Sequence, residues 1–505
     1  MKSDHCGNDF EEIELKLALP ASDPSGLAQA LGRTPVLARC KPRQQPLHNV
    51  YYDTPQQILR SQRVALRLRC VGTGAQARWL QTLKIGGASD SALSQRGEWE
   101  VAVPGPQLSA QALQDTPWPG IDPDGSVFAA LAPCFVTRFE RTTWLVRRRD
   151  RCLVEVALDL GRIDAAGNTA PIAELEFELR AGPISALFDV AQAIAASVAV
   201  LPLSQSKAQR GYALAQGTLG AAQRAQPALL RPDLTLPEAA RQVLRETFAQ
   251  FCDNLFGLQS SDEPERVHQA RVGWRRFRSA LRLFKAVLAH RAPPPLQALK
   301  NLLGRLGELR DLDVARTETL PGLADAYVCG DAPRAQAWQD MGAALAHAAR
   351  RQRASVLNAM QQPAFGATLL AITQWLEELT LPTDVNGGKH DSAESLRDWS
   401  RRRSLRMHRR LHAALEDTTT PEARHRTRIL AKRLRYSIEA LRPLLRKRQA
   451  QRWYSQALAI QSSIGSSRDV LQAGSIVARL DVDPGLQEFV RGVVFATGVV
   501  TPVSN

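Results

Sequence analysis

The sequence predicts an α+β protein of two domains, an antiparallel β-barrel or sandwich followed by an all-α bundle with an internal duplication. Three observations carry this. Up to about Leu214 the chain reads as short alternating runs broken by Gly, Pro, Asp and Asn. From about Leu236 the apolar period becomes helical, and Leu, Ala, Arg and Gln dominate. Within that second half one basic motif occurs twice at matching spacing.

In the first half, Val64–Arg69, Trp79–Lys84, Glu98–Val103, Arg141–Arg147 and Cys152–Leu158 alternate apolar with polar residues, as half-buried strands do. Turn pieces such as Val71-Gly72-Thr73-Gly74 and Ala166-Gly167-Asn168 separate them. Helical spacing is confined to Ser25–Leu31, Ser109–Asp115 and Ile184–Val198. Pro232 and Pro237 bracket a linker, so the expected division is a first domain over 1–216, a linker over 217–236 and a second domain over 237–505. A loop over Thr383–Ser392, containing Gly387-Gly388, is expected to split the helical half, and the apolar run Phe489–Val503 to form a buried terminal helix.

The chain has 505 residues, a formal net charge of +15 and a sequence pI of about 9.9, which points to an anionic partner. Seven cysteines without a C-x-x-C pair argue for free thiols in a reducing cytoplasm and against zinc or disulfide frameworks. Met1–Ile13 lacks the apolar core of a signal peptide, and no run of about 18 apolar residues exists, so no membrane segment is expected.

The duplicated motif is His268-x-x-Arg271-x-x-x-Arg275-Arg276-x-Arg278, then His425-x-x-Arg428-x-x-x-Lys432-Arg433-x-Arg435. Each copy is followed by a Gly and an Arg-Asp pair, Gly307 with Arg310-Asp311 and Gly465 with Arg468-Asp469. At 100° per residue the offsets of zero, three, seven and ten fall within roughly 80° of helix surface. His268, Arg271, Arg275 and Arg278 form one basic stripe, and His425, Arg428, Lys432 and Arg435 another. Guanidinium forks match phosphate oxygens, so two such stripes suit a polyanion, and acids between Arg401 and Ala450 are too few to neutralise them.

The acids of the first half also alternate. Glu12-Ile13-Glu14-Leu15-Lys16 and Glu174-Leu175-Glu176-Phe177-Glu178 each place carboxylates on one strand face, and Asp159 shares parity with Glu155. Oxygen-only donors suit Mg²⁺ or Mn²⁺. Arg67, Arg69, Lys84, Arg141, Lys207 and Arg210 bring bases into the same half. An interior holding both signs suits a polyphosphate chelated with metal.

Glu12-Ile-Glu-Leu-Lys16, Tyr51-Tyr-Asp-Thr54, Leu66-Arg-Leu-Arg69, Gln81-Thr-Leu-Lys84, Glu98-Trp-Glu100, Val154–Asp159, Glu174-Leu-Glu176 and Ser206-Lys-x-x-Arg210 occur in that order. Over residues 10 to about 214 the chain therefore resembles the CYTH domain of the triphosphate tunnel metalloenzymes, which include class IV adenylate cyclases, thiamine triphosphatases and inorganic triphosphatases. From about 237 to 500 it resembles the CHAD domain, associated with polyphosphate binding; tandem CYTH–CHAD chains resemble bacterial inorganic triphosphatases. The resemblance implies an eight-stranded tunnel with Glu12, Glu14, Asp159, Glu174 and Glu176 as ligands of Mg²⁺ or Mn²⁺. It implies Lys16, Arg67, Arg69, Lys84, Arg141 and Lys207 on phosphate, with Arg210 a further candidate, and Glu98 and Glu100 on a second metal or orienting the bases. The register of the Glu174, Glu176, Glu178 row stays open.

The expected activity is hydrolysis of inorganic triphosphate to pyrophosphate and phosphate. Glu12, Glu14, Lys16, Arg67, Arg69, Lys84, Arg141 and Lys207 form the catalytic set, and the two stripes hold long-chain polyphosphate. The alternatives are a non-catalytic polyphosphate or granule-docking protein, or a CYTH enzyme acting on thiamine triphosphate or ATP. Nucleic acid is the weaker candidate for the basic half. The expected location is the cytoplasm, with polyphosphate granules as a docking place.

Overall fold

The computed structural model describes residues 11–20, 26–74, 77–86, 91–148, 151–226, 229–379, 395–416, 419–463 and 466–499. The expected Gly387-Gly388 loop and Gly465 lie outside these. The chain divides into two compact units, one of residues 1–221 with 259–261 and 360–377, the other of the remainder.

The first unit is a closed antiparallel barrel of eight strands. They are β1 (Glu11–Ala18), β2 (Arg43–Asp53), β3 (Val64–Val71), β4 (Arg78–Gly86), β5 (Leu93–Val103), β6 (Ala132–Arg147), β7 (Leu153–Ala165) and β8 (Asn168–Ala181). The order runs β5-β4-β3-β2-β6-β7-β8-β1, and β1 pairs back onto β5, leaving no free edge in the ring. A two-residue β9 (Leu201–Pro202) adds to β1. Of the sequence alternatives, barrel rather than sandwich is what forms.

The alternation seen in sequence sorts the strands inside out. Leu15, Leu17, Val154, Val156, Leu158, Leu175 and Phe177 share one buried cluster with Leu187, Phe188 and Ile194 of the helix Ser185–Ala195. The intervening residues, Glu14, Lys16, Asp159, Glu174 and Glu176, point to the other side of the strands. The apolar core thus wraps the barrel, and the lumen keeps the charges. A second cluster joins Tyr51, Phe135, Phe139 and Ile163 to Tyr212 and Leu214 of the helix Lys207–Ala215. That helix starts in a capping box, Ser206 Oγ accepting from Gln209 N at 3.2 Å and Gln209 Oε1 accepting from Ser206 N at 2.8 Å. Gly211 lets it lie against Phe135, whose ring would stand 2.2 Å from an added Cβ.

One helix of the second half belongs to the first unit. Leu370, on the helix Pro363–Glu378, is buried in the cluster with Phe188 and Val200. The apolar spacing of this segment reads as one more bundle helix, and nothing local in it marks the barrel as its partner.

The second unit is helical. Its helices include Leu236–Gly257, Pro264–Leu283, Leu299–Val314, Ala332–Met360, Leu396–Leu415, Pro421–Leu441, Lys447–Ser463, Ser466–Val477 and Pro484–Val499. The Pro264–Leu283 helix, carrying the first motif copy, packs on Leu236–Gly257 through Phe248, Phe251, Trp274 and Phe277. The second copy lies on Pro421–Leu441, which shares a core with Leu411, Trp453 and Ala457 of the two flanking helices. Each copy is thus the second helix of a hairpin, as a duplication requires. Val490 of the terminal helix is buried against Ile476 and Val477, while Phe495 is exposed, so that helix is buried on one face only. Among the described residues no helix is long and apolar enough to cross a membrane.

Gly366 sits where a Cβ would stand 2.2 Å from the Val200 carbonyl oxygen. Gly366→Ala is expected to lower stability by about 1–3 kcal/mol through this clash, read as a fall of several degrees in the thermal midpoint; an unchanged midpoint contradicts the packing described.

Candidate functional site

The lumen encloses a cavity of about 1230 Å³. Strand register brings its walls together. Glu12 and Glu14 of β1 face Arg96 and Ser94 of β5, and Lys16 faces Glu176 of β8. Arg67 of β3 is cross-strand from Tyr51 of β2 and Thr82 of β4, and Lys84 of β4 from Glu98 of β5. Arg141 of β6 faces Asp159 of β7, which faces Glu174 of β8. Lys207 enters from the helix at its first turn. Of the expected residues, Glu12, Glu14, Lys16, Arg67, Arg69, Lys84, Glu98, Glu100, Arg141, Glu176 and Lys207 line the cavity.

Almost every charge here meets its opposite. Lys84 Nζ lies 2.9 Å from both Glu12 and Glu98, and Arg96 lies 2.8 Å from both Glu12 and Glu14. Lys16 Nζ is 2.6 Å from Glu14. Burial raises the Glu12 carboxyl, but Lys84 and Arg96 outweigh it and hold Glu12 well below the usual carboxylate range. Glu14 goes the other way: burial and the neighbouring Glu176 raise it against Lys16 and Arg96. Burial also pushes Glu178 up to about 8, against Arg180 and with Glu12, Glu155 and Glu14 adding to the rise. On the base side, burial, Arg67 and Arg141 lower Arg69 to about 10.

Two groups of carboxylates must be distinguished. Asp159, Glu174 and Glu176 offer oxygens within 4.8 Å of one another. Their centre is taken by Lys207, whose Nζ lies 2.6 Å from Asp159 and 2.8 Å from Glu176 and also bonds Glu174. Arg141 Nε donates to Asp159 at 2.7 Å, Arg141 Nη2 pairs with Asp159 and Glu176, and Arg210 pairs with Glu174. The side chains of Asp159 and Glu174 are 0% and 1% exposed. They stand behind the cavity wall with Arg210, and none of the three lines the cavity. The acids that face the lumen are Glu12, Glu14, Glu176 and Glu178; burial raises Glu14 and Glu178, with neighbouring carboxylates adding to the rise, while against burial Lys84 and Arg96 hold Glu12 low and Lys207 and Arg141 hold Glu176 low. An oxygen-only set facing the lumen is the donor type that suits a hard divalent cation. The open register of the glutamate row thereby places Glu176 and Glu178 on the lumen and Glu174 behind it.

Sequence reasoning missed Arg96, which shares strand parity with Glu98 and Glu100 and bridges both β1 glutamates. The parity itself was the available signal; Gly97, between Arg96 and Glu98, hid it. Tyr51 was quoted only within a motif. Its hydroxyl is fully buried, which raises it, yet Arg67 and then Arg69 and Lys207 lower it overall.

In the second unit the middle residues of the two stripes come within electrostatic reach of each other. Arg271 feels Arg275, Asp311 and Arg468, while Lys432 feels Arg428, Arg275, Arg468 and Arg435. Burial and these cations lower Lys432 to about 8. Gly307 leaves room for Arg271, whose Nη1 lies 2.9 Å from where a Cβ would stand. His268 is half-buried, and burial with Arg310 lowers it. His425 and Arg278 are exposed. Arg435 is drawn aside to Glu439 at 3.4 Å and over the Tyr436 ring. Arg310 and Arg468, read from sequence only as repeat markers, belong to the same charged surface. The buried Nε atoms of Arg275, Arg428 and Arg435 have no hydrogen-bond partner among the described residues.

Residues 11–212 match the CYTH domain family and residues 242–478 the CHAD domain family. An inorganic triphosphatase of Haemophilus influenzae is 34% identical over 206 residues, 41% of this chain and 55% of that protein, so the chain spans about half the length of this curated relative. A solved CHAD domain from the plant Ricinus communis shares 28% identity over 56% of this chain and 93% of its own, with a TM-score of 0.48. HpAC1 from Hippeastrum, named for adenylyl cyclase and described as having a dominant triphosphatase activity, shares 19% identity over 40% and 95%, with a TM-score of 0.28. The charged barrel and the duplicated helical unit are therefore a CYTH domain and a CHAD domain in one chain, a CYTH–CHAD tandem protein resembling inorganic triphosphatase.

Proposed function

We propose that the barrel hydrolyses inorganic triphosphate to pyrophosphate and phosphate with a divalent metal, Mg²⁺ or Mn²⁺, and that the helical unit binds long-chain polyphosphate. The domains are assigned as 1–216 and 237–505 with a linker between, in a cytoplasmic protein that docks on polyphosphate. The observation that carries the reading is the lumen in which bases and oxygen-only acids alternate.

Lys16, Arg67, Arg69, Lys84, Arg96 and Arg141 would exchange their carboxylate partners for phosphate oxygens as the substrate enters. Glu12, Glu14 and Glu176 would hold the metal, with Glu178 beside them. Bound there, the metal neutralises phosphate charge and polarises the phosphoryl group under attack. The bases fix the chain of phosphates, and the closed wall limits water around it. Asp159 and Glu174 keep Arg141 and Lys207 aimed inward. The same lumen admits ATP or thiamine triphosphate by its terminal phosphates. Phosphate release from triphosphate, ATP, thiamine triphosphate and polyphosphate, each with Mg²⁺ and Mn²⁺, ranks them, and triphosphate is expected first.

The two carboxylate groups give opposite phenotypes. Glu14→Gln is expected to cut kcat at least about 100-fold and weaken Mn²⁺ binding, followed by its spin-resonance signal, with little change in thermal midpoint. Glu174→Gln leaves Lys207 and Arg210 short of a buried counter-charge and is expected to cost about 3–5 kcal/mol of stability while Mn²⁺ binding persists. The reverse pattern would reassign the ligands.

The helical unit is tested by charge. Arg271→Glu with Arg428→Glu should abolish polyphosphate retention at moderate salt and spare triphosphate hydrolysis; full retention removes the two stripes as the binding surface. Lys432 carries its charge below about 8. A bound polyanion favours the ammonium form, so affinity is expected to fall up to about tenfold from pH 7 to pH 9. Lys432→Arg should flatten that profile, and a profile unchanged by the substitution excludes Lys432 from the contact.

A further inference from the structure

A pair of histidines away from both duplicated motifs is unexplained by phosphate chemistry. His408 and His412 lie one turn apart on the helix Leu396–Leu415, on the same face. Their Nε2 atoms stand 3.1 Å apart. The His408 ring stacks on Trp453 at 4.6 Å and 27°, and Trp453 is 3% exposed within the core of the helix pair. Gln456, one turn beyond Trp453, brings its Oε1 to 3.3 Å from His408 Nε2.

We propose that His408, His412 and Gln456 form a binding site for a borderline divalent metal ion of the Zn²⁺ class. Two nitrogens bound to one such ion at about 2.0–2.1 Å stand roughly 3.0–3.4 Å apart in tetrahedral or octahedral geometry, and the two Nε2 atoms already have that spacing. Three donors converge from two helices, and the stacked indole fixes one ring in advance, so little ordering is left for the ion to impose. Arg409 and Arg410 adjoin the pair in sequence and Arg452 acts on His408. Their charge works against ions held by oxygen and electrostatics alone, such as Mg²⁺, and leaves those that bond imidazole nitrogen strongly. Such an ion would clip the helix Leu396–Leu415 to Lys447–Ser463, independently of any chemistry in the barrel.

The test is a calorimetric titration of the full-length chain with Zn²⁺ in excess Mg²⁺, which occupies oxygen sites. The parent is expected to bind one equivalent that His412→Gln, altered at an exposed position, binds at least about tenfold more weakly. Cu²⁺ spin resonance should show nitrogen coupling in the parent that His412→Gln loses. Equal Zn²⁺ stoichiometry and affinity in parent and variant, both with native circular dichroism, would overturn the site.

Discussion

Charge pairing inside a closed wall is the constraint on which the barrel depends. Taking a carboxylate or ammonium out of water costs several kcal/mol unless a partner meets it. The lumen therefore persists without substrate only because acids and bases are interleaved, as Lys84 is between Glu12 and Glu98 and Arg96 is across Glu12 and Glu14. That requirement sets the strand pattern. Apolar residues must leave the interior, so the hydrophobic core wraps the outside of the sheet, and Phe188 and Leu370 come from helices to complete it.

Much of this was legible in the chain because the strand period is two. Once Glu12-x-Glu14-x-Lys16 and the 174–178 row are strands, their charged faces are fixed, and closure of the sheet makes those faces converge. What sequence parity leaves open is depth along the strand. Glu174 and Glu176 share a face, yet Glu174 stands opposite Asp159 behind the wall while Glu176 stands one residue pair nearer the lumen, opposite Ala157. Depth depends on where the Lys207 helix seals the barrel, a tertiary fact. The helix Pro363–Glu378 was illegible for the same reason: its period says helix, and only packing says which core it enters. Arg96 differs, since its parity with Glu98 was readable and the intervening glycine masked it.

Lys207 shows how one set of oxygens can be read two ways. Asp159, Glu174 and Glu176 have the proximity of a metal site, but proximity of acids measures only a demand for positive charge. Here Lys207, Arg141 and Arg210 meet that demand. The demand left over is on the lumen side, where burial and then Glu176 raise Glu14, and burial raises Glu178 in spite of Arg180 with Glu12 and Glu155 adding. Residual repulsion, rather than the count of carboxylates, is what measures an unmet demand for positive charge.

The two units thus solve opposite problems with the same side chains. In the barrel, bases are matched by acids, so a bare polyanion gains little from entering, because each base it takes leaves a buried glutamate unpaired. In the helical unit the middle residues of the stripes act on one another, and the Nε atoms of Arg275 and Arg428 have no hydrogen-bond partner among the described residues. Burial, together with Arg428, Arg275 and Arg468, depresses Lys432 there. How many acids the sequence places among its arginines is what separates a lumen of paired charges from a basic helical surface.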